Sequence, residues 1–286
     1  MPELGAVITA IVTPFDERLD VDEEAFVSLM HHLAANGSDG FVVCGTTGEA
    51  STLSDSEHLG LVELAVRERP AGVSIIAGAG SNDTRHAVHL TERANEIGVD
   101  AVLSVTPYYN RPSRRGILAH FGEVARASTV PVILYNIPQR TGTDMPNDLL
   151  ARLAQIERID FVKQSNAANL APVDGLGVYA GDDGLFARTL ELGEPGGILV
   201  ASHIVGPQMR RMVDEPENRA SIDTSLQDVY KTLFLTASPT CTKAALALLG
   251  HRVGGLRLPM VAADDAELEA VRAMLSRHGL LGHVTA

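Results

Sequence analysis

The run Ile159-Asp160-Phe161-Val162-Lys163-Gln164-Ser165 decides how the rest of the chain is read. It is short, apolar and β-prone, and a lysine stands at its end. Of the 23 basic residues in the chain, only Lys163, Lys231 and Lys243 are lysine, and the other 20 are arginine. A chain that meets nearly all its positive charge with arginine still keeps a lysine at the end of this strand. Lysine is rarely buried unless paired or functional, and desolvation favours its neutral amine. A neutral amine attacks a ketone and forms a Schiff base, which a guanidinium does not. The alternative is a lysine whose stem lies along a strand end while its ammonium reaches water. The segment alone leaves both readings open.

Working outward, seven further runs share its character, at 6–13, 40–44, 74–78, 101–106, 131–136, 178–180 and 197–201, with 160–164 making the eighth. They are continuously apolar rather than alternating, as parallel strands buried on both faces must be. Amphipathic helical patterns separate them at 21–35, 55–69, 84–97, 114–127, 147–155, 183–192 and 207–213. Asp20, Ser54 (with Glu57 three residues on) and Asp83 supply starts, and Gly37, Pro70 and Gly98 supply stops. Eight β-then-α units predict an α/β chain folded as a (β/α)8 TIM barrel. The sixth unit is irregular, because residues 166–177 leave room for only a very short helix. After about Asp214 no strand pattern remains, and 221–237, 241–249 and 264–277 read as three helices. The expected organisation is a barrel catalytic domain over 1–214 and a C-terminal helical domain over 215–286.

With 286 residues, 45% hydrophobic and 21% charged, the chain has globular composition. Its net charge of −13 argues against nucleic acid or an anionic membrane as a partner. Two cysteines, Cys44 and Cys241, indicate no disulfide framework and fit a cytoplasmic location. No apolar run approaches the roughly 20 residues of a membrane span, and the N-terminus lacks the basic and apolar regions of a signal peptide. The ten histidines are scattered, so no metal site is expected. Asp182-Asp183 is compatible with a cation, but Asp183 also fits as a helix cap.

In a barrel of this kind catalytic groups lie at the C-terminal ends of the strands and in the loops that follow. Lys163 ends the sixth strand and Tyr135 the fifth, Thr46 and Thr47 follow the second, and Tyr108 and Tyr109 follow the fourth. All are expected at one mouth. Gly45-Thr46-Thr47-Gly48-Glu49 has the glycines of a tight turn that presents N–H groups to an anion, or of a plain βα turn. It is not a nucleotide P-loop, since no lysine follows the second glycine. Thr106-Pro107-Tyr108-Tyr109-Asn110 puts two tyrosines on a proline-braced loop, as packing anchor or as interface. Tyr135-Asn136-Ile137-Pro138-Gln139-Arg140-Thr141-Gly142 supplies a phenol suited to proton transfer and a guanidinium suited to a carboxylate, though a surface ion pair also accounts for Arg140.

These three segments, with Val162-Lys163, Gly181-Asp182-Asp183 and the late Leu256-Arg257-Leu258-Pro259-Met260, resemble the dihydrodipicolinate synthase/N-acetylneuraminate lyase family of class I aldolases. The resemblance spans nearly the whole chain. It implies that Lys163 forms a Schiff base with pyruvate, so that no separate cofactor is needed. It implies that the N–H groups of Thr46 and Thr47 hold the pyruvate carboxylate, that Tyr135 shuttles protons, and that Thr46 links Tyr135 to Tyr109, which reaches into a neighbouring subunit's site. Gly181 and Ile198 are implied to line the pyruvate pocket, and the implied assembly is a homotetramer of two tight dimers. Pro138-Gln139-Arg140-Thr141-Gly142 resembles the synthase branch, in which the arginine binds the carboxylate of aspartate semialdehyde. That branch condenses pyruvate with aspartate semialdehyde to 4-hydroxy-tetrahydrodipicolinate in lysine biosynthesis. The alternatives are another pyruvate-dependent aldolase or hydratase-lyase that takes a sugar-acid aldehyde, and a catalytically silent pyruvate binder. The complete set of Lys163, Tyr135, Thr46 and Tyr109 argues against silence. Two departures stand beside the site: Gln164 where the family commonly has a carboxylate, and a shorter segment over 165–178.

The resemblance also implies an effector cleft for free lysine, matched here by Ala50, Ser51, Asp55, His58, Asn82, His86 and Tyr108. In the lysine-sensitive pattern the position of His86 is a glutamate that meets the α-ammonium, and that of Asp55 is a histidine. A histidine has no anionic form to offer there, so weak or absent lysine inhibition is expected.

Overall fold

The computed structural model describes residues 3–281. The first two residues of the expected barrel range and the last five of the expected helical range lie outside the described residues. The strands are β1 (Val7–Ala10), β2 (Gly40–Val43), β3 (Ser74–Gly78), β4 (Ala101–Val105), β5 (Val132–Asn136), β6 (Ile159–Gln164), β7 (Gly177–Ala180) and β8 (Gly196–Leu199). They pair in parallel in chain order, and β8 returns to β1, which closes the barrel. The helices among them are α1 (Glu23–Ala35), α2 (Asp55–Glu68), α3 (Thr84–Ile97), α4 (Arg114–Ala127), α5 (Pro138–Thr141), α6 (Asn147–Leu153), α7 (Phe186–Glu191) and α8 (Ser202–Asp214). Three more follow, α9 (Arg219–Leu233), α10 (Thr240–Leu248) and α11 (Asp265–Arg277). The architecture is the TIM barrel with C-terminal helices expected from the sequence.

Burial on both strand faces explains the continuous apolar runs. Ile8, Val42, Ile76, Ile133, Phe161, Tyr179 and Ile198 point inward and fill the barrel. Val7, Phe41, Val43, Ile75, Leu134 and Val162 point outward and pack beneath the helices. The helix starts follow from capping: α2 opens with a reciprocal Ser54/Glu57 box, α11 with an Asp264/Glu267 box, and α3 with the Asp83 carboxylate on the Arg85 N–H. Gly98, at φ +91°, ends α3 in the left-handed conformation that glycine adopts without steric cost.

The structure differs from expectation at several boundaries. β1 stops at Ala10 rather than 13, because the Val12 N–H turns to the His203 imidazole instead of a strand. The eighth helix begins at Ser202 rather than 207, and Pro207 sits inside it. Proline has no N–H to give, and the break falls just before it at Val205 (φ −124°, ψ 33°). Asp183 does not cap the helix it begins. Its buried carboxylate instead accepts the N–H groups of Val200 and Ala201, both at 2.9 Å. Burial pushes this carboxyl up to about 6 despite those two bonds. The one-turn α5 was not foreseen. The sixth unit is irregular as expected, with only a 3-10 turn over Ala167–Asn169. Among the described residues no helix is long and apolar enough to cross a membrane.

Candidate active site

A cavity of about 370 Å³ opens at the C-terminal mouth of the barrel, and Lys163, Tyr135, Thr46, Thr47, Arg140 and Gly181 all line it. Lys163 is 5% exposed and Tyr135 6%. The two are register partners on β6 and β5, and the lysine Nζ lies 4.4 Å from the centre of the phenol ring. The lysine is therefore a buried amine facing a cavity, and the reading in which its ammonium reaches bulk water is set aside.

The Gly45–Glu49 turn is closed on itself. The Glu49 N–H donates to Thr46 O at 3.1 Å and the Ala50 N–H to Gly45 O at 3.3 Å. The Thr13 hydroxyl donates to Gly48 O at 2.7 Å, fixing the turn to the segment that follows β1. Among the described residues no backbone acceptor takes up the N–H groups of Thr46 or Thr47. Two free N–H groups at a cavity wall make a nest for a small carboxylate.

Arg140 rides on α5, and amides fix that turn to β6. Gln139 Nε2 donates to Ser165 O at 3.1 Å. Asn136 Nδ2 is shared among Gln164 Oε1 at 3.0 Å, Asp144 Oδ1 at 2.9 Å and Met145 O at 3.2 Å. Burial pushes the Asp144 carboxyl up, but donors from Asn136, Asn169 and Asn166 outweigh it and hold the group below its ordinary value. Gln164 accepts from both Asn136 and the Asn166 N–H. An amide at this position lets Asn136 bridge one charged and one neutral acceptor. At the next strand end, a Cβ on residue 181 would collide with the Ser165 hydroxyl and the Gln164 backbone, so only glycine fits there.

One mouth of a closed eight-stranded barrel thus gathers a buried lysine with a phenol in register, a free N–H pair and a guanidinium. The model of the dihydrodipicolinate synthetase family matches residues 3–278.

The chain belongs to the dihydrodipicolinate synthetase family.

The 4-hydroxy-tetrahydrodipicolinate synthase of Heliobacterium modesticaldum is 43% identical over 291 residues, covering 97% of each chain. The dihydrodipicolinate synthase of Cyanidioschyzon merolae, solved with lysine bound, superposes with a TM-score of 0.93 at 39% identity, covering 97% of this chain and 99% of that one. The chloride-inhibited synthase of Acinetobacter baumannii, solved with pyruvate, also reaches 0.93 at 34% identity, again over 97% and 99%.

Three of the expected site residues stand apart from the cavity. Tyr109, with φ +71°, is 90% exposed and does not line the cavity. No hydrogen bond joins Thr46 to Tyr135 or Tyr109 within the described chain. Ile198 is fully buried in the barrel interior rather than at the cavity wall. Asn82 is outside the wall, and its carbonyl accepts from Asn110 Nδ2 at 2.8 Å. Ala50, Ser51, Asp55, His58, His86 and Tyr108 do line the same cavity as Lys163. His86 Nε2 lies 3.0 Å from Asp55 Oδ1, and His58 Nε2 donates to Gly78 O at 2.7 Å, burial holding the His58 imidazole below its ordinary value.

The sequence reading missed Asp182 as a wall residue. Burial raises its carboxyl above the usual range, opposed by Lys163, the Ser165 hydroxyl and Arg140. The motif Gly181-Asp182-Asp183 was legible, but nothing local distinguishes the acid that faces the cavity from the one that turns to the backbone. Ser238, from the C-terminal helices, also lines the wall, and no local signal marks it.

Proposed function

We propose that this member of the dihydrodipicolinate synthetase family is a Schiff-base lyase that condenses pyruvate with aspartate semialdehyde to 4-hydroxy-tetrahydrodipicolinate in lysine biosynthesis. The observation that carries the reading is Lys163, buried at the cavity floor beside the Tyr135 ring. The neutral amine adds to the pyruvate carbonyl carbon, and Tyr135 relays a proton to the departing oxygen, which leaves as water. Loss of a methyl proton converts the iminium to an enamine. The enamine carbon attacks the aldehyde carbon, and the aldehyde oxygen takes up a proton. The α-amine of the aldehyde partner then adds to the iminium carbon, and the C–Nζ bond breaks with its electron pair returning to Lys163.

Thr46 and Thr47 hold the pyruvate carboxylate through their free N–H groups, and Arg140 meets the second carboxylate as a charge-assisted pair. Gly181 lines the pyruvate pocket, its missing Cβ leaving room for the Ser165 hydroxyl and the Gln164 backbone, and Ile198 backs the pocket from below. Lys163 is the covalent carrier, so the reaction needs no separate cofactor. Tyr109, exposed and off the wall of its own cavity, completes the site of a second copy in a tight dimer, and two such dimers make a homotetramer. Sedimentation as a monomer at working concentration overturns that assembly. The barrel ends near residue 214 and the C-terminal helices form the second domain. A cytoplasmic location fits both the chemistry and the reduced cysteines.

The test is a coupled assay of pyruvate with aspartate semialdehyde, alongside sugar-acid aldehydes, and borohydride trapping with pyruvate followed by peptide mass spectrometry. The reading expects turnover with aspartate semialdehyde and an adduct on Lys163. Preference for an uncharged aldehyde, or an adduct on Lys231 or Lys243, refutes it.

A further inference from the structure

The proposed chemistry uses one of the three lysines, yet a second is equally buried. Lys243 lies on α10 with its side chain 2% exposed, and its Nζ is 2.7 Å from Oε1 of Glu49, which is 1% exposed. The ammonium also donates to Gly255 O at 2.7 Å and sits 4.2 Å from the centre of the Phe15 ring. The other carboxylate oxygen of Glu49 accepts the Arg257 N–H at 3.0 Å. Glu49 is therefore gripped on both oxygens by the C-terminal part of the chain.

Glu49 is also the last residue of the turn that carries Thr46 and Thr47. Its backbone is left-handed, at φ +54° and ψ +35°, a region that side chains other than asparagine and aspartate rarely enter. A glycine there would remove the strain, and a glutamate keeps it. Such backbone strain persists only where the surroundings over-determine it, and it gathers at functional sites. A buried ion pair contributes little stability beyond what apolar packing would give, so stability alone does not account for two buried charges and a strained backbone at one point.

We infer that Lys243 is a positioning residue for the substrate carboxylate: through Glu49 it fixes the Thr46–Thr47 turn, which makes the C-terminal helices part of the pyruvate anion site. The inference rests on the proposed reading of that turn as the pyruvate nest. Pulling on Glu49 sets where the turn's own Glu49 N–H to Thr46 O bond ends, and hence where the two free N–H groups point. The barrel supplies the amine, and the helical appendage aims the carboxylate at it.

Borohydride trapping run in parallel with pyruvate and with acetone reads this directly. Both are methyl ketones, and only pyruvate carries a carboxylate. The ratio of the two trapping rates counts only protein with a working Lys163 and is independent of the folded fraction. Glu49→Gln keeps the side-chain shape and the acceptor for the Arg257 N–H while removing the charge. Glu49→Gln and Lys243→Met are each expected to lower the ratio by about tenfold, the worth of one weakened charge-assisted bond, with acetone trapping unchanged. The Michaelis constant for pyruvate rises in step while that for the aldehyde stays put. A ratio unchanged in Glu49→Gln overturns the inference, and so does an equal fall for both ketones, which means support of the fold alone. If Lys243→Met does not fold, Glu49→Gln decides by itself. A wild type that traps neither ketone on Lys163 strikes the Schiff-base reading instead.

Discussion

Tyr135 and Lys163 face each other across the β5–β6 ladder, and the lysine nitrogen stands over the phenol ring rather than beside its oxygen. The ring is thus a wall of the amine's pocket as well as the proposed proton donor, and the two roles separate experimentally. Tyr135→Phe keeps the wall and removes the hydroxyl. Turnover is expected to fall by about 10²- to 10⁴-fold, the usual contribution of a positioned acid–base group, with thermal stability unchanged. Wild-type turnover in this variant takes Tyr135 out of the proton transfer.

Arg140 is exposed at the cavity wall and makes no ion pair among the described residues, so its charge is free for a ligand. A bidentate guanidinium–carboxylate pair is worth about 1.5–3 kcal/mol. Arg140→Ala is expected to cut kcat/KM for aspartate semialdehyde by roughly ten- to a hundredfold and to leave pyruvate trapping on Lys163 intact. Equal loss of both reactions identifies Arg140 as structural.

His86 and Asp55 satisfy each other at 3.0 Å. The Asp55 carboxylate is therefore engaged by His86, and an imidazole stands at the position where the resemblance puts the anion for the α-ammonium of free lysine. Loss of one charge-assisted bond, about 1.5–3 kcal/mol, implies roughly ten- to a hundredfold weaker binding. Activity measured against rising lysine is expected to hold in the wild type and to become sensitive in His86→Glu. Strong inhibition of the wild type at sub-millimolar lysine contradicts this.

His203 stitches the closing seam of the barrel. Its Nε2 accepts the Val12 N–H at 3.2 Å from beyond β1, and its Nδ1–H donates to Val200 O at 2.8 Å beyond β8. Only the neutral ring does both. Burial pushes its pKa down to about 4 from the ordinary 6.5, so between those values the unfolded chain binds the proton and the folded chain does not. The contribution is fully present above pH 6.5 and is lost as pH falls toward 4, on the order of 3 kcal/mol in all. Asp183, raised to about 6 by burial, acts in the opposite sense and loses stability as pH rises from 3.8 to 6. Denaturant unfolding from pH 7 to 4 is expected to show a shallower acid loss in His203→Gln than in wild type. Parallel curves refute the assignment.

The barrel was legible because parallel strands buried on both faces leave an unbroken apolar signature, and because capping residues such as Ser54 and Asp83 act within three residues of themselves. Lys163 was legible through rarity, and the same rarity applied to Lys243, yet no strand context pointed to its partner. The contacts that stayed hidden are those between distant segments: Glu49 with Lys243, Asp183 with the backbone before α8, and Asn136 with Gln164 and Asp144. Hydrogen-bond partners of that kind depend on the assembled barrel and leave no periodicity. The start of α8 was misplaced because proline was read as a first helical residue when the helix kinks around it.

Burial of Lys163 and Lys243 leaves Lys231 as the one exposed lysine among the described residues. Arginine, which covers the rest of the basic surface, does not condense with carbonyl compounds as an amine does. A protein built to handle a ketone and a reactive aldehyde therefore presents almost no adventitious amine to either. Its outer surface offers such reactants little to condense with, and the amine of the proposed imine chemistry lies buried at the barrel mouth.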